Sequence, residues 1–145
     1  MGVGQVRSSR AVFLDRDGTL IKQVDELIRP AQIKILPGVP KALRRLSELG
    51  FLTVVITNQP IVAKGLITKG GLQKLHEILL ECLARRGARI DAVYICPHRY
   101  PSSCACRKPR IGMIRRAEKK YRINRKRSFL VGDHMRDIET GRRAK

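Results

Sequence analysis

The 145-residue chain contains no tryptophan, and aromatic residues make up only 4% of it. Any core must therefore be aliphatic, drawn from a hydrophobic content of 43%. No apolar run approaches the roughly 20 residues that a membrane-spanning helix needs. The opening Met1-Gly2-Val3-Gly4-Gln5 has no signal-peptide core. A cytoplasmic location, no membrane partner and a monomer are the expectations. Internal repeats and low-complexity linkers are also absent, which excludes solenoid and fibrous architectures. The length suits one domain, expected over residues 11–145 behind a flexible basic arm at 1–10.

Negative charge is scarce as well. There are 12 Asp and Glu against 31 Lys and Arg, a formal net charge of +19. The excess is uneven: residues 107–145 hold 15 basic and 4 acidic side chains. Such a field attracts anions without selecting among phosphate esters, nucleic acid and anionic surfaces. Only Tyr121 and Phe129 are aromatic in that stretch, too few to interleave with bases. Weak, non-specific nucleic-acid binding is expected.

Apolar runs and turn signals alternate along the chain. Ala11–Asp15 reads as a buried strand. Leu43, Leu46 and Leu49 mark a helix stopped by Gly50. Phe51–Thr57 is a second buried strand. Leu72, Leu75, Leu79 and Leu83 define the next helix, closed by Gly87. Ile90–Cys96 is a third strand, Ile111–Tyr121 a basic helix, Ser128–Gly132 a fourth buried strand, and Met135–Ala144 a last helix. Strand–helix alternation of this kind implies an α/β fold, a parallel sheet with helices on both faces. Ligands bind such sheets at the carboxyl ends of the strands. Polar clusters follow all four: Asp15 and Asp17, then Thr57 and Asn58, then Cys96 and His98, then Asp133 and Asp137.

Asp15 and Asp17 stand two apart in Phe13-Leu14-Asp15-Arg16-Asp17-Gly18-Thr19-Leu20. One carboxylate can act as nucleophile and metal ligand, the other as acid and base. The same pair can also simply cap a turn. Asp133 ends a strand and Asp137 lies four residues on, so with Asp15 they can supply the hard oxygen ligands that Mg²⁺ prefers. Thr57 and the backbone after it can hold phosphate oxygens. Arg107 and Lys108 are cations beside a cysteine cluster. That cluster is Cys96-Pro97-His98 and Cys104-Ala105-Cys106. Three thiolates and an imidazole match a tetrahedral structural Zn²⁺ site. Free thiols or a disulfide would leave His98 unexplained. His76, on the second helix, reads as an ordinary core or surface residue. Cys82 reads as a small apolar residue.

Taken together these motifs resemble the haloacid dehalogenase superfamily of phosphatases, and within it the group of histidinol phosphatase and D-glycero-D-manno-heptose-1,7-bisphosphate phosphatase. The likeness runs from about Ala11 to Ala144. It implies a Rossmann-like three-layer domain, in which this chain shows no large inserted cap, Gly18 to Leu36 being too short to fold into one. It implies that Asp15 attacks phosphorus, and that Asp17 protonates the leaving oxygen and then activates water. Asp17 would need a raised pKa for the first task. Thr57, Asn58 and Lys108 would bind the phosphoryl group, with Arg107 and the zinc loop facing the rest of the substrate. Mg²⁺ would be held by Asp15, Asp17 through its backbone carbonyl, and Asp133, supported by Asp137. Zn²⁺ would be held by Cys96, His98, Cys104 and Cys106. The expected substrate is a small phosphorylated sugar or related metabolite.

Two departures from the group stand out. Asn58-Gln59-Pro60-Ile61-Val62-Ala63-Lys64-Gly65 replaces its usual Asn-Gln-Ser-Gly-Ile-Ala-Arg-Gly, a form that resembles phosphatase-like proteins found with sugar nucleotidyltransferases. The chain also ends at Lys145 inside a helix where the family continues with at least one more strand, so it reads as C-terminally truncated, with the last strand at an open edge. The rival readings are a polynucleotide 3′-phosphatase, favoured by the charge, and a non-catalytic subunit beside a sugar nucleotidyltransferase.

Overall fold

The computed structural model describes residues 8–145. Its element order is β1 (Arg10–Leu14), α1 (Val39–Glu48), β2 (Phe51–Asn58), α2 (Lys69–Ala84), β3 (Ala92–Cys96), α3 (Gly112–Tyr121), β4 (Phe129–Val131) and α4 (Met135–Arg143), with short 3-10 turns at Pro30–Gln32 and Arg125–Arg127. The strands form one sheet in the order β3-β2-β1-β4, and every pairing is parallel. The chain steps outward from β1 to β3, then returns to the other side of β1 for β4. The strand order therefore reverses at β1, which opens a crevice at its carboxyl end.

Two-residue periodicity sends alternate side chains of β1 to opposite faces. Val12 and Leu14 pack with Val55, Leu43, Leu75, Leu79 and Leu83, in the layer of α1 and α2. Ala11 and Phe13 pack with Val54, Ile56, Met113, Ile114 and Ala117, in the layer of α3. Both faces are thus covered, and the core is almost wholly aliphatic, as the composition required. Burying one such leucine contributes about 1.5–3 kcal/mol.

Several strand boundaries and one burial expectation change. β1 starts at Arg10, one residue inside the expected arm. Ser9 bridges Ile123, and the Arg10 guanidinium lies 4.2 Å over the Phe51 ring. The rest of that arm, residues 1–7, lies outside the described residues. β3 begins at Ala92, not Ile90, because the Asp91 carboxylate accepts the Thr53 backbone N–H at 2.8 Å where a strand carbonyl would stand. β4 spans only Phe129–Val131, and it is not buried. Phe129 is 62% exposed and Val131 48%. Among the described residues β4 pairs with β1 alone, and no further strand joins its outer side. Phe129 finds its one aromatic contact edge-on against Phe51, at 5.9 Å.

Candidate active site

The carboxyl ends of β1, β2 and β4 converge with the segment before α3. Asp15 follows β1, and its backbone N–H donates to Val131 O on β4 at 3.0 Å. Its carboxylate is buried and accepts from Lys108 Nζ at 2.9 Å. Lys108 is itself 3% exposed and also donates to Asp137 Oδ1 at 2.7 Å. Burial raises the Asp15 pKa against the opposing pull of Lys108, and the charge of Asp137 adds to the rise.

Asp15, Asp133 and Asp137 bring one carboxylate oxygen each within 4.8 Å of the others. Three negative groups face one ammonium there, so the donor set favours a hard cation. Asp137 is the third residue of α4. Its Oδ2 accepts the His134 N–H at 3.1 Å, which together with Lys108 occupies both oxygens. Asp133 is exposed, and among the described residues it has no ion pair. Two glycines make the crowding feasible. Gly18 turns at φ +79°, and a Cβ there would sit 2.0 Å from Asp133 Oδ2. A Cβ on Gly132 would sit 2.3 Å from Asp137 Oδ2.

Asp17 is clasped by its own neighbour. Arg16 Nε donates to Oδ1 and Nη2 to Oδ2, both at 2.9 Å. Gln59 Nε2 donates to Oδ2 at 3.0 Å and to Thr57 Oγ1 at 2.9 Å. Arg16 is fully buried, and its Nη1 lies 2.9 Å from His76 Nε2 on α2. A guanidinium can only donate, so this contact makes His76 Nε2 the acceptor and places its proton on Nδ1. Burial, and then the charge of Arg16, lower the His76 pKa from 6.5 to about 4. Arg16, Gln59 and His76 are the site residues that sequence reasoning did not single out. Arg16 carried one signal: it stands between the two aspartates. His76 carried none, since its partner is 60 positions away.

The Asn58 side chain is engaged by Lys108. Its Oδ1 accepts the Lys108 N–H at 3.0 Å and its Nδ2 donates to Lys108 O at 3.2 Å. The whole carboxamide holds the Lys108 backbone. Thr57 is 1% exposed, and its Oγ1 accepts from Gln59 Nε2. Arg107 braces the cysteine loop, donating from Nη1 to His98 O at 3.0 Å beneath the Tyr100 ring.

In that loop Cys96, His98, Cys104 and Cys106 bring one ligand atom each within 4.8 Å of the others. Cys96 Sγ is 3.4 Å from His98 Nδ1 and 3.7 Å from Cys104 Sγ, and Cys106 Sγ is 3.3 Å from His98 Nδ1. No disulfide joins them. Tetrahedral Zn²⁺ with bonds of about 2.3 Å to sulfur and 2.0 Å to nitrogen needs ligand edges of about 3.5–3.8 Å. The cluster has that size.

A buried aspartate after an inner strand, a second aspartate two residues on, a buried lysine and an acidic pair at the fourth strand together define a phosphatase of the haloacid dehalogenase superfamily. Comparison with known proteins agrees. Residues 10–145 match the family described as polynucleotide kinase 3 phosphatase, and the chain belongs to that family. The D-glycero-β-D-manno-heptose-1,7-bisphosphate 7-phosphatase of Haemophilus influenzae is 36% identical over 143 residues, covering 94% of this chain and 78% of the relative. A D-glycero-α-D-manno-heptose-1,7-bisphosphate 7-phosphatase of Photorhabdus laumondii is also 36% identical, over 93% and 78%. The crystal structure of D,D-heptose 1,7-bisphosphate phosphatase from B. bronchiseptica, complexed with magnesium and phosphate, superimposes with a TM-score of 0.87 at 34% identity, covering 93% of this chain and 76% of that one. The chain is a phosphoric monoester hydrolase. Among the described residues no helix is long and apolar enough to cross a membrane.

Proposed function

We propose that the enzyme removes a phosphoryl group from a small phosphorylated sugar, of the heptose bisphosphate or histidinol phosphate type, through an aspartyl-phosphate on Asp15. The observation that carries this reading is the placement of Asp15. Its carboxylate is held by Lys108 at the strand-order reversal, beside Asp133 and Asp137. The sugar-phosphatase relatives and the cysteine loop point to the substrate class.

The Asp15 oxygen that Lys108 leaves free attacks phosphorus, and the bond to the leaving oxygen breaks. Lys108 offsets the repulsion between two anions that meet. Mg²⁺, held by Asp15, Asp133 and the Asp17 backbone carbonyl with Asp137 in support, would supply further neutralisation of the phosphoryl oxygens. Asp17 serves as acid to the leaving oxygen and then as base to water. In the conformation described, both of its oxygens accept from Arg16 or Gln59. Proton delivery therefore uses a conformer in which the carboxyl turns from Arg16 toward Asp15. Zn²⁺, held by the four loop ligands, would stabilise that segment, and Arg107 is tied to the loop through His98 O.

The family match and the +19 charge also favour a second reading, a polynucleotide 3′-phosphatase. One experiment separates them: phosphate release with Mg²⁺ from both anomers of heptose bisphosphate, from histidinol phosphate and from 3′-phosphorylated oligonucleotides. A kcat/KM highest on a sugar or histidinol ester supports the proposal. Preference for the 3′-phosphorylated oligonucleotide overturns it.

A further inference from the structure

β3 is the outer strand of the sheet, and its two faces differ in chemistry. Among the described residues it pairs only with β2. Val93 belongs to the α1–α2 layer, whereas Ala92 and Tyr94 belong to the α3 layer. On the α2 side the strand borders a groove of about 630 Å³, walled mainly by Leu72, Leu80, Ile90, Val93 and Ile95, with Lys69, Glu77 and Asp91 at its margin and Arg116 reaching it from α3. On the α3 side it borders a second groove, of about 480 Å³, formed with Tyr94, Arg116, Lys120 and Tyr121. Lys119 lines the continuation of that basic side. One open edge thus lies between a mainly apolar trough and a cationic one, with Arg116 lining both.

We propose that this edge is a docking site for an extended segment of a partner protein in which apolar and acidic residues alternate. Such a segment adds to β3 as a further strand, taking main-chain hydrogen bonds from the open edge. Its side chains then point alternately to the two faces. Apolar residues enter the trough beside Val93 and Ile95. Acidic residues meet Arg116, Lys119 and Lys120. At about 3.3 Å per residue the strand offers room for five or six partner residues.

Charge selects this occupant over the others. A second copy pairing edge to edge would bring two sets of Arg116, Lys119 and Lys120 together, and like charges oppose that. A single-stranded nucleic acid would need free aromatic faces. Here the Arg116 guanidinium lies 5.2 Å over the Tyr94 ring and Lys120 Nζ 5.3 Å over the Tyr121 ring, so those faces already carry cations. Nor does a nucleic acid supply the alternation that two unlike troughs match.

The test uses the whole chain and two labelled eight-residue peptides of one composition. In one, valine and glutamate alternate. In the other, the four valines and four glutamates are in blocks. At physiological salt the alternating peptide should bind at least about tenfold more tightly. Hydrogen exchange should slow at residues 92–96 on its addition. Arg116→Glu with Lys120→Glu should abolish that binding while melting temperature and phosphate release are retained, because neither side chain takes part in the site. The same variant should bind a peptide with lysine in place of glutamate. Equal binding of the two glutamate peptides would mean that the face is only electrostatic. Absence of binding, absence of protection at 92–96, displacement of the peptide by a single-stranded oligonucleotide, or concentration-dependent dimerisation that blocks the peptide would each overturn the proposal.

Discussion

Lys108 Nζ donates to Asp15 Oδ1 at 2.9 Å across 93 residues of chain, with both side chains removed from solvent. This contact ties the end of β1 to the segment that enters α3. Asp137 shares the same ammonium from α4. One cation therefore holds three separate segments of the site in register. Breaking a buried ion pair from one side leaves uncompensated charge, which typically costs about 3–5 kcal/mol.

Lys108→Met should accordingly lower unfolding free energy by about 3–5 kcal/mol, measured by urea titration. Adding Asp137→Asn to that variant should recover part of the loss, since one of the two stranded carboxylates becomes neutral. An additive double mutant would show that the two groups do not interact.

Asp15→Asn keeps the shape of the side chain and removes the nucleophile. Turnover should fall by roughly four orders of magnitude or more, with an unchanged circular dichroism spectrum. Asp17→Asn should also lose turnover yet retain substrate binding, and acid quenching should reveal accumulated phospho-enzyme. Near-normal turnover of Asp15→Asn would remove the covalent mechanism.

Elemental analysis should find one zinc per chain, on Cys96, His98, Cys104 and Cys106. Chelation, or Cys104→Ser, should lower the melting temperature by roughly 5 °C or more, because bound metal stabilises only the folded loop. Equal melting with and without zinc would leave the cysteine cluster without a structural role.

His76 supplies a pH dependence of stability. Burial first, and Arg16 second, depress its pKa from 6.5 to about 4 in the fold. Between those values the unfolded chain binds a proton that the native chain refuses. Its contribution is thus complete above pH 6.5 and is lost as the pH falls toward 4, a change of about 3 kcal/mol. His76→Gln keeps an acceptor for Arg16 Nη1 but does not titrate. The stability advantage of the parent over this variant should shrink steadily from pH 7 to pH 4. A pH-independent difference would place the proton elsewhere.

Much of this molecule follows from local pattern. Continuous apolar runs specify β1 and β2 because a strand buried on both faces needs no alternation. Parallel connectivity follows from the helices between them. The carboxylates lie at strand ends because that is where each motif stands in the chain, and the cysteine loop is visible as a spacing of ligand types. Other properties depend on distant groups and were not legible. The open edge expected for β4 is found, but Phe129 and Val131, apolar like Val54 and Val55, are exposed there, because among the described residues β4 pairs only with β1. The Asn58 carboxamide has no evident partner in sequence until Lys108, 50 residues on, engages it. Tyr94 looks like an ordinary strand residue until α3 brings Arg116 over its ring. Arg16 and His76 become one hydrogen-bonded unit only when α2 packs on the sheet. Periodicity and spacing report what a residue does to its neighbours in sequence. Burial, ion pairing and protonation are set by neighbours in space, and those exist only once the chain has folded.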